Sequence, residues 1–341
     1  MGGKALNIET ERKTTEQYNK IASIIIPILE KELKTDVTIT KCHRAKETHG
    51  DMDILVRVNS KVESLDMVEF ITKTFNPRDI YHSVAAKTTD KYDKKDLVTL
   101  SFDYDNFQID LIFIKEENWE FAYEWFSNDP FSNTTGKIAH LFGLKFSWEG
   151  LKLPFRKYSG ELSKNIIITK NHRKAVEFLG YNYDKYEQGF DNVQEIYDYV
   201  ISSKYFDSEC FKMENLNHID RKRNVKRTTY QEFLKYIDDN KIYRKYIFKG
   251  DNIKFIDKYF PEANLIEKLN KYEEEYLNEK LIYEKFNGIL VMAEFPEFKK
   301  GKELGDVINK FKESFEDFTK YAITNSSKQI MNDFTNFINE L

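Results

Sequence analysis

Gly50-Asp51-Met52-Asp53-Ile54-Leu55-Val56 sets two carboxylates, one residue apart, at the head of a β-branched and aliphatic run. Such a run reads as a strand. Side chains alternate along a strand, so Asp51 and Asp53 point the same way, about 6 to 7 Å apart. Like charges held that close on one face repel each other and call for a compensating cation. A hard divalent ion such as Mg²⁺, which prefers carboxylate oxygens, would supply it. The plainer alternative is an exposed strand start with acidic residues in the preceding turn, and a lone D-x-D does not choose between the two. A second stretch adds weight. Asn106-Phe107-Gln108-Ile109-Asp110-Leu111-Ile112-Phe113-Ile114 is another strand-like run, and its carboxylate, Asp110, falls where a buried strand wants an apolar residue. Unpaired, that carboxylate is costly. If the two strands are neighbours, three carboxylates converge. That is the arrangement two-metal phosphoryl transfer needs, with ions about 3.5 to 4 Å apart.

The longer stretch Arg44-Ala45-Lys46-Glu47-Thr48-His49-Gly50-Asp51-Met52-Asp53-Ile54-Leu55-Val56 resembles the palm motif of the family X DNA polymerases. These are the polymerase beta group of the nucleotidyltransferase superfamily. In that family an Arg, a Glu and a Gly precede the D-M-D at these spacings, and a third Asp follows on a later strand. Arg44, Glu47, Gly50, Asp51, Asp53 and Asp110 match. The resemblance implies an α+β fold: a palm with a mixed sheet and helices, followed by a mostly helical C-terminal domain. It implies transfer of a nucleoside monophosphate from an NTP or dNTP to an acceptor hydroxyl. Asp51, Asp53 and Asp110 would be the catalytic residues and would hold two Mg²⁺ ions, with Mn²⁺ able to replace them. Arg44 would hold the triphosphate, and Gly50 would meet the nucleotide. Thr40-Lys41 stands where the family motif opens with Gly-Ser, and Lys41 offers a point charge for phosphate.

The resemblance continues to about residue 155. Glu124-Trp125-Phe126-Ser127 occupies the thumb element that reads Tyr-Phe-Thr-Gly in polymerase beta, and terminal deoxynucleotidyl transferase has a Trp at the Trp125 position. That element packs under the incoming sugar, so Trp125 and Phe126 are candidate nucleotide contacts. The alternative is that both belong to the core. Gly136 falls where family polymerases carry a template-side Arg. Ahead of the palm nothing resembles the helix-hairpin-helix units of gap-repairing members. The expectation is therefore template-independent addition to a nucleic-acid 3′ end. Gap-filling synthesis, transfer to a protein or small molecule, and a non-catalytic binding protein on the same scaffold are the alternatives.

At 341 residues, with 40% apolar and 15% aromatic content, the chain can build more than one core. A net charge of −4 excludes a generally basic nucleic-acid coat, so polymer binding must use local patches. Two cysteines far apart, Cys42 and Cys210, make no disulfide framework and point to a reducing compartment, the cytoplasm by default. No apolar run is long enough for a membrane span or a signal core. No phosphate-binding P-loop, nucleophile elbow or dinucleotide fingerprint occurs.

Periodicity predicts a helix over Thr14–Leu33 with Pro27 as a kink, then strands at Val37–Ile39, Asp53–Val58 and Ile80–Ala85. Ser60–Phe75 reads as one helix and Lys87–Asp96 as a charged loop. Leu97–Tyr104 and Phe107–Ile114 read as a hairpin turning at Asp105-Asn106. Helices follow at Glu117–Phe126 and Phe131–Phe142, and a small hairpin at Lys145–Leu153. A strand at Asn165–Lys170 and helices at Asn171–Leu179, Val193–Ser202, Thr229–Asp238, Ile253–Phe260, Ala263–Phe286, Leu304–Tyr321 and Ser327–Leu341 complete the chain. The expected divisions are an N-terminal helix (1–35), the palm (36–116), a thumb-like segment (117–160) and a helical domain (161–341).

Arg221, Lys222, Arg223, Lys226 and Arg227 crowd into one run before Thr228, which reads as a loop followed by an N-cap. The run is either a solvated face or a contact for nucleic acid or triphosphate. Tyr243–Lys249 interleaves aromatics with cations, which suits stacking of single-stranded bases but equally an amphipathic packing face. Cys42, His43 and His49 match no common zinc spacing.

Overall fold

The computed structural model describes residues 4–84, 97–156, 162–299 and 301–340. A two-residue strand β1 (Lys13–Thr14) leads into α1 (Thr15–Leu33), and Thr14 and Gln17 close a reciprocal capping box at its start. Then come β2 (Val37–Ile39), β3 (Thr48–His49), β4 (Asp51–Val58), α2 (Ser60–Ser64), α3 (Met67–Phe75), β5 (Ile80–Val84), β6 (Leu97–Tyr104) and β7 (Phe107–Lys115). β1 pairs with β3, and the other five strands form one sheet in the order β2-β4-β7-β6-β5. β4 and β7 run parallel while the remaining pairs are antiparallel, so the sheet is mixed. Asp105 and Asn106 both take positive φ (51° and 57°), as a tight two-residue hairpin turn demands.

The alternation of each strand sorts its residues onto two faces. Met52, Ile54 and Val56 of β4, Ile109, Leu111 and Phe113 of β7, and Leu100 and Phe102 of β6 share a core with Ile21, Ile25, Leu29 and Leu33 of α1 and Ile71 of α3. The opposite face is split along its length. Toward the strand ends, Leu55, Ile112 and Ile114 pack with Ala122, Trp119, Tyr123 and Phe126. At the strand beginnings the same face carries Asp51, Asp53, Gln108 and Asp110. That division is why β7 reads as a nearly continuous apolar run broken at Asp110.

Next come α4 (Trp119–Phe126), α5 (Phe131–His140), β8 (Lys145–Ser147), β9 (Gly150–Arg156) and β10 (Leu162–Thr169), the strands forming a sheet in the order β10-β9-β8. Gly150 has φ +128°, and a Cβ there would stand 2.6 Å from the Thr169 carbonyl, so only glycine fits. Helices α6 (His172–Phe178), α7 (Tyr183–Glu187), α8 (Val193–Ile201), α9 (His218–Asn224), α10 (Thr228–Asp239) and α11 (Asn252–Tyr259) complete the first of two compact units, residues 1–154 with 165–263. The second unit is 155–164 with 264–341. It holds α12 (Leu265–Lys285), α13 (Gly288–Glu294), α14 (Lys302–Glu313), α15 (Phe318–Thr324) and α16 (Ser327–Asn339) around Phe286, Val291, Phe311, Ile330 and Phe334. Lys285 donates to the Ala322, Ile323 and Asn325 carbonyls at 2.7–2.9 Å, stabilising the end of α15. The chain is therefore mixed α and β, with a mixed sheet and a helical C-terminal region. No described helix is long and apolar enough to cross a membrane.

Several expectations differ from what forms. Residues 165–263 group with residues 1–154, α6 lying against α4 and α8 against α5. Ser60–Phe75 breaks into two helices at Leu65-Asp66, where the Asp66 carboxylate accepts the Glu69 N–H at 3.0 Å and starts α3. Leu304–Tyr321 breaks likewise before Asp317, which caps α15 through Lys320 N–H at 2.9 Å. Arg221, Lys222 and Arg223 are helical, not loop, because Asn217 caps α9 by accepting the Asp220 N–H. The N-cap of α10 is Arg227, not Thr228, and no side chain caps it. The loop expected at Lys87–Asp96 lies outside the described residues.

Candidate active site

The register of β4 and β7 places Asp53 directly across from Asp110 and Asp51 across from Gln108. Strands in a sheet lie about 4.8 Å apart, so Asp53 and Asp110 are immediate neighbours on one face. Ser101 of β6 flanks Asp110 on the other side. Burial, and then the charges of Asp51 and Asp110, push the Asp53 carboxyl well above the usual carboxylate range. Burial also pushes Asp110 up to about 6, opposed by hydrogen bonds from Ser101 and Gln108. Among the described residues no ion pair engages Asp53 or Asp110. The charge of Lys46 is the cation that eases Asp53.

Gln108 holds Asp110 firmly. Its Nε2 donates to both carboxylate oxygens at 2.9 Å, and its Oε1 accepts the Ala5 N–H at 2.9 Å. As the side chains lie, no group of three or more His, Cys, Asp and Glu residues among the described ones is gathered tightly enough to hold a metal ion. What fits Mg²⁺ is the donor set: carboxylate oxygens only, mutually repelling, on one face of the sheet.

Beside Asp53 a cleft of about 230 Å³ is walled by Trp125, Phe126, Asp129, Ser132, Asn133, Arg223 and Arg227. Trp125 and Phe126 meet edge to face with centroids 4.8 Å apart. Phe126 also packs on the Leu55–Ile112 cluster, so it lines the cleft and belongs to the core as well. The indole Nε1 of Trp125 and the hydroxyl of Ser132 are buried without a hydrogen-bond partner among the described residues. Asp129 keeps an exposed edge, yet crowding of its carboxyl by surrounding protein pushes it up, against the opposing charges of Arg227 and Lys46. A pocket of similar size, lined by Lys212, Leu234, Ile237 and Tyr243 among others, shares no residue with this cleft and gathers no comparable set of groups.

The other expected contacts lie elsewhere. Arg44 pairs with Asp191, donates to the Gln188 carbonyl at 2.9 Å, and lines neither the cleft nor the carboxylates. Lys41 pairs with Glu124 at 3.1 Å and lies over Tyr123. Gly50 is buried at the junction of β3 and β4. The basic run divides: Arg221 donates to the Met213, Glu214 and Leu216 carbonyls at 2.9–3.0 Å, Lys222 and Lys226 are exposed, and Arg223 and Arg227 reach the cleft. His49 stacks on Tyr18 at 4.0 Å and contacts Thr15 at 3.1 Å, so it serves the core. Tyr246 and Phe248 pack on Phe142, so the Tyr243–Lys249 segment is largely a packing face.

Lys46, Ser101, Gln108, Asp129, Ser132 and Asn133 were not picked out from the sequence. Gln108 was legible, being two residues before Asp110 on the same strand face. Asp129 and Ser132 carry no local signal. Compared with known proteins, the chain matches no family model and no curated protein.

Proposed function

We propose that the chain is a Mg²⁺-dependent nucleotidyltransferase with a polymerase beta-like palm, adding a nucleoside monophosphate to an acceptor hydroxyl, by preference a nucleic-acid 3′ end and without a template. The observation that carries this reading is Asp53 beside Asp110 in register, with Asp51 on the same face and an aromatic cleft next to them. Asp51, Asp53 and Asp110 would hold Mg²⁺, which when bound offsets charge on the phosphates and makes an acceptor hydroxyl more acidic. Asp110 takes the proton of the acceptor hydroxyl, a role its elevated affinity for protons suits. The freed oxygen attacks the α-phosphorus, the bond to the β-phosphate oxygen breaks, and pyrophosphate leaves. Trp125 and Phe126 hold the nucleoside against the cleft wall and keep water from it.

Labelled triphosphates incubated with Mg²⁺ and single-stranded RNA, single-stranded DNA, a gapped duplex and a protein acceptor test the reading. Label on a single-stranded 3′ end, with matching pyrophosphate, is the expected outcome. Preference for the gapped duplex with correct base choice would make it a gap-filling enzyme, and label on protein would change the acceptor. The grip of Gln108 on both Asp110 oxygens favours one rival, a binding protein that no longer transfers. No pyrophosphate with any acceptor would decide for that rival.

A further inference from the structure

Two guanidinium groups, Arg223 and Arg227, line one small cleft, and among the described residues no hydrogen bond or ion pair engages either. Arginines left unpaired beside each other repel. Crowding by protein and then the charge of Arg223 pull Arg227 below its ordinary value, while Asp129 partly offsets this. A further group in the wall is also unspent. The Ser132 hydroxyl, in a residue only 7% exposed, has no hydrogen-bond partner among the described residues. Ser132 and Asn133 belong to the first turn of α5, which starts without a side-chain cap, and Arg227 is itself the uncapped start of α10. Free N–H groups and the dipole at such helix starts attract anions. Two cations and a hydroxyl donor lining one space, beside two helix starts that no side chain caps, are the parts of a phosphate seat.

We propose that Arg223, Arg227 and Ser132 seat the triphosphate tail of the nucleotide, the task the resemblance implied for Arg44. This rests on the transferase reading for its ligand and not for its existence as an anion site. The cleft volume, about 230 Å³, is below the roughly 300 Å³ at which small-molecule sites begin, so it takes a polyphosphate and leaves the nucleoside toward Trp125. Asp53 lies in the same cleft, so a tail seated here would present its α-phosphorus to the carboxylates. An acceptor-strand phosphate would use the same chemistry but does not need to enter beside Asp53.

Inorganic tripolyphosphate, titrated calorimetrically into the full chain in EDTA, tests the seat without metal or catalysis. Binding should weaken about tenfold in Arg223→Gln and again in Arg227→Gln, as loss of charge-assisted hydrogen bonds requires. Arg44→Gln should bind as the wild type does, and Asp129→Asn should bind more tightly because a repelling carboxylate is gone. Circular dichroism checks that each variant is folded. A short single-stranded oligonucleotide without a triphosphate, as the second ligand, should not compete. The seat is refuted if both arginine variants bind tripolyphosphate normally, if Arg44→Gln loses binding instead, or if the oligonucleotide displaces it. Tripolyphosphate binding that depends on the two arginines, in a chain that transfers nothing, would uphold the seat and sink the transferase. Transfer with an unchanged KM for the triphosphate in the double variant would do the reverse.

Discussion

Asp110 answers to two opposed demands. Folding favours its protonated form, because it is crowded by protein and near Asp51, while the proposed chemistry needs it ionised. Its folded-state pKa is raised from 3.8 to about 6, so its contribution to stability is full below the unfolded value and is lost as pH rises through 6. Asp110→Asn removes that cost. It should raise the melting temperature of the metal-free protein at pH 7, by the equivalent of about 1–3 kcal/mol, while abolishing transfer. Thermal melts at pH 4 and pH 7 check this, since the gain should vanish at the lower pH. His172 works in the other direction. Buried among Phe121, Phe146, Tyr183 and Tyr186, with Nε2 unpartnered, it is lowered from 6.5 to about 3. The unfolded chain takes up the proton first, so acidification below 6.5 destabilises the fold, by about 2 kcal/mol at pH 5 from this one group. His172→Phe should flatten the loss of stability between pH 7 and pH 5, measured by denaturant titration. An unchanged slope would contradict this account of the histidine.

At the scale of elements, α9 and α4 decide whether the cleft exists. Arg221 binds three carbonyls of residues 213–216 and so fixes α9, which presents Arg223 to the cleft. Arg221→Ala should cost about 1–2 kcal/mol and weaken triphosphate binding although Arg221 lines no part of the site. Calorimetry on the variant would show both. The strands β4, β6 and β7 were legible in the sequence because alternation and a two-residue turn are local signals. The pairing of Asp53 with Asp110 could be anticipated because Asp53 heads one apolar run and Asp110 interrupts another. The helix breaks at Asp66 and Asp317 were missed because apolar periodicity continues across them while a single carboxylate stops the helix. The cleft was not legible, since Asp53, Trp125, Ser132 and Arg227 come from four separate segments. The turn of Arg44 toward Asp191 depends on a loop that no local pattern predicts.

At the scale of the molecule, two cores stand in two units. The sheet core gathers around Ile54, Leu111 and Leu29, and the C-terminal core around Phe286, Phe311 and Phe334. Phe311→Ala should cost the C-terminal unit about 3–5 kcal/mol. In scanning calorimetry it should lower one transition and leave another in place, and a single transition shifted as a whole would show that the cores unfold together. The central claim is that carboxylates from two strands share cations beside a bound triphosphate. Its most direct test is Mn²⁺ binding, followed by electron paramagnetic resonance, in the presence of a triphosphate whose α,β-bridge cannot be cleaved. The account predicts two ions per chain in the wild type and loss of ion binding in Asp53→Asn and Asp110→Asn. No bound ion in the wild type, or the same binding in both variants, would contradict it.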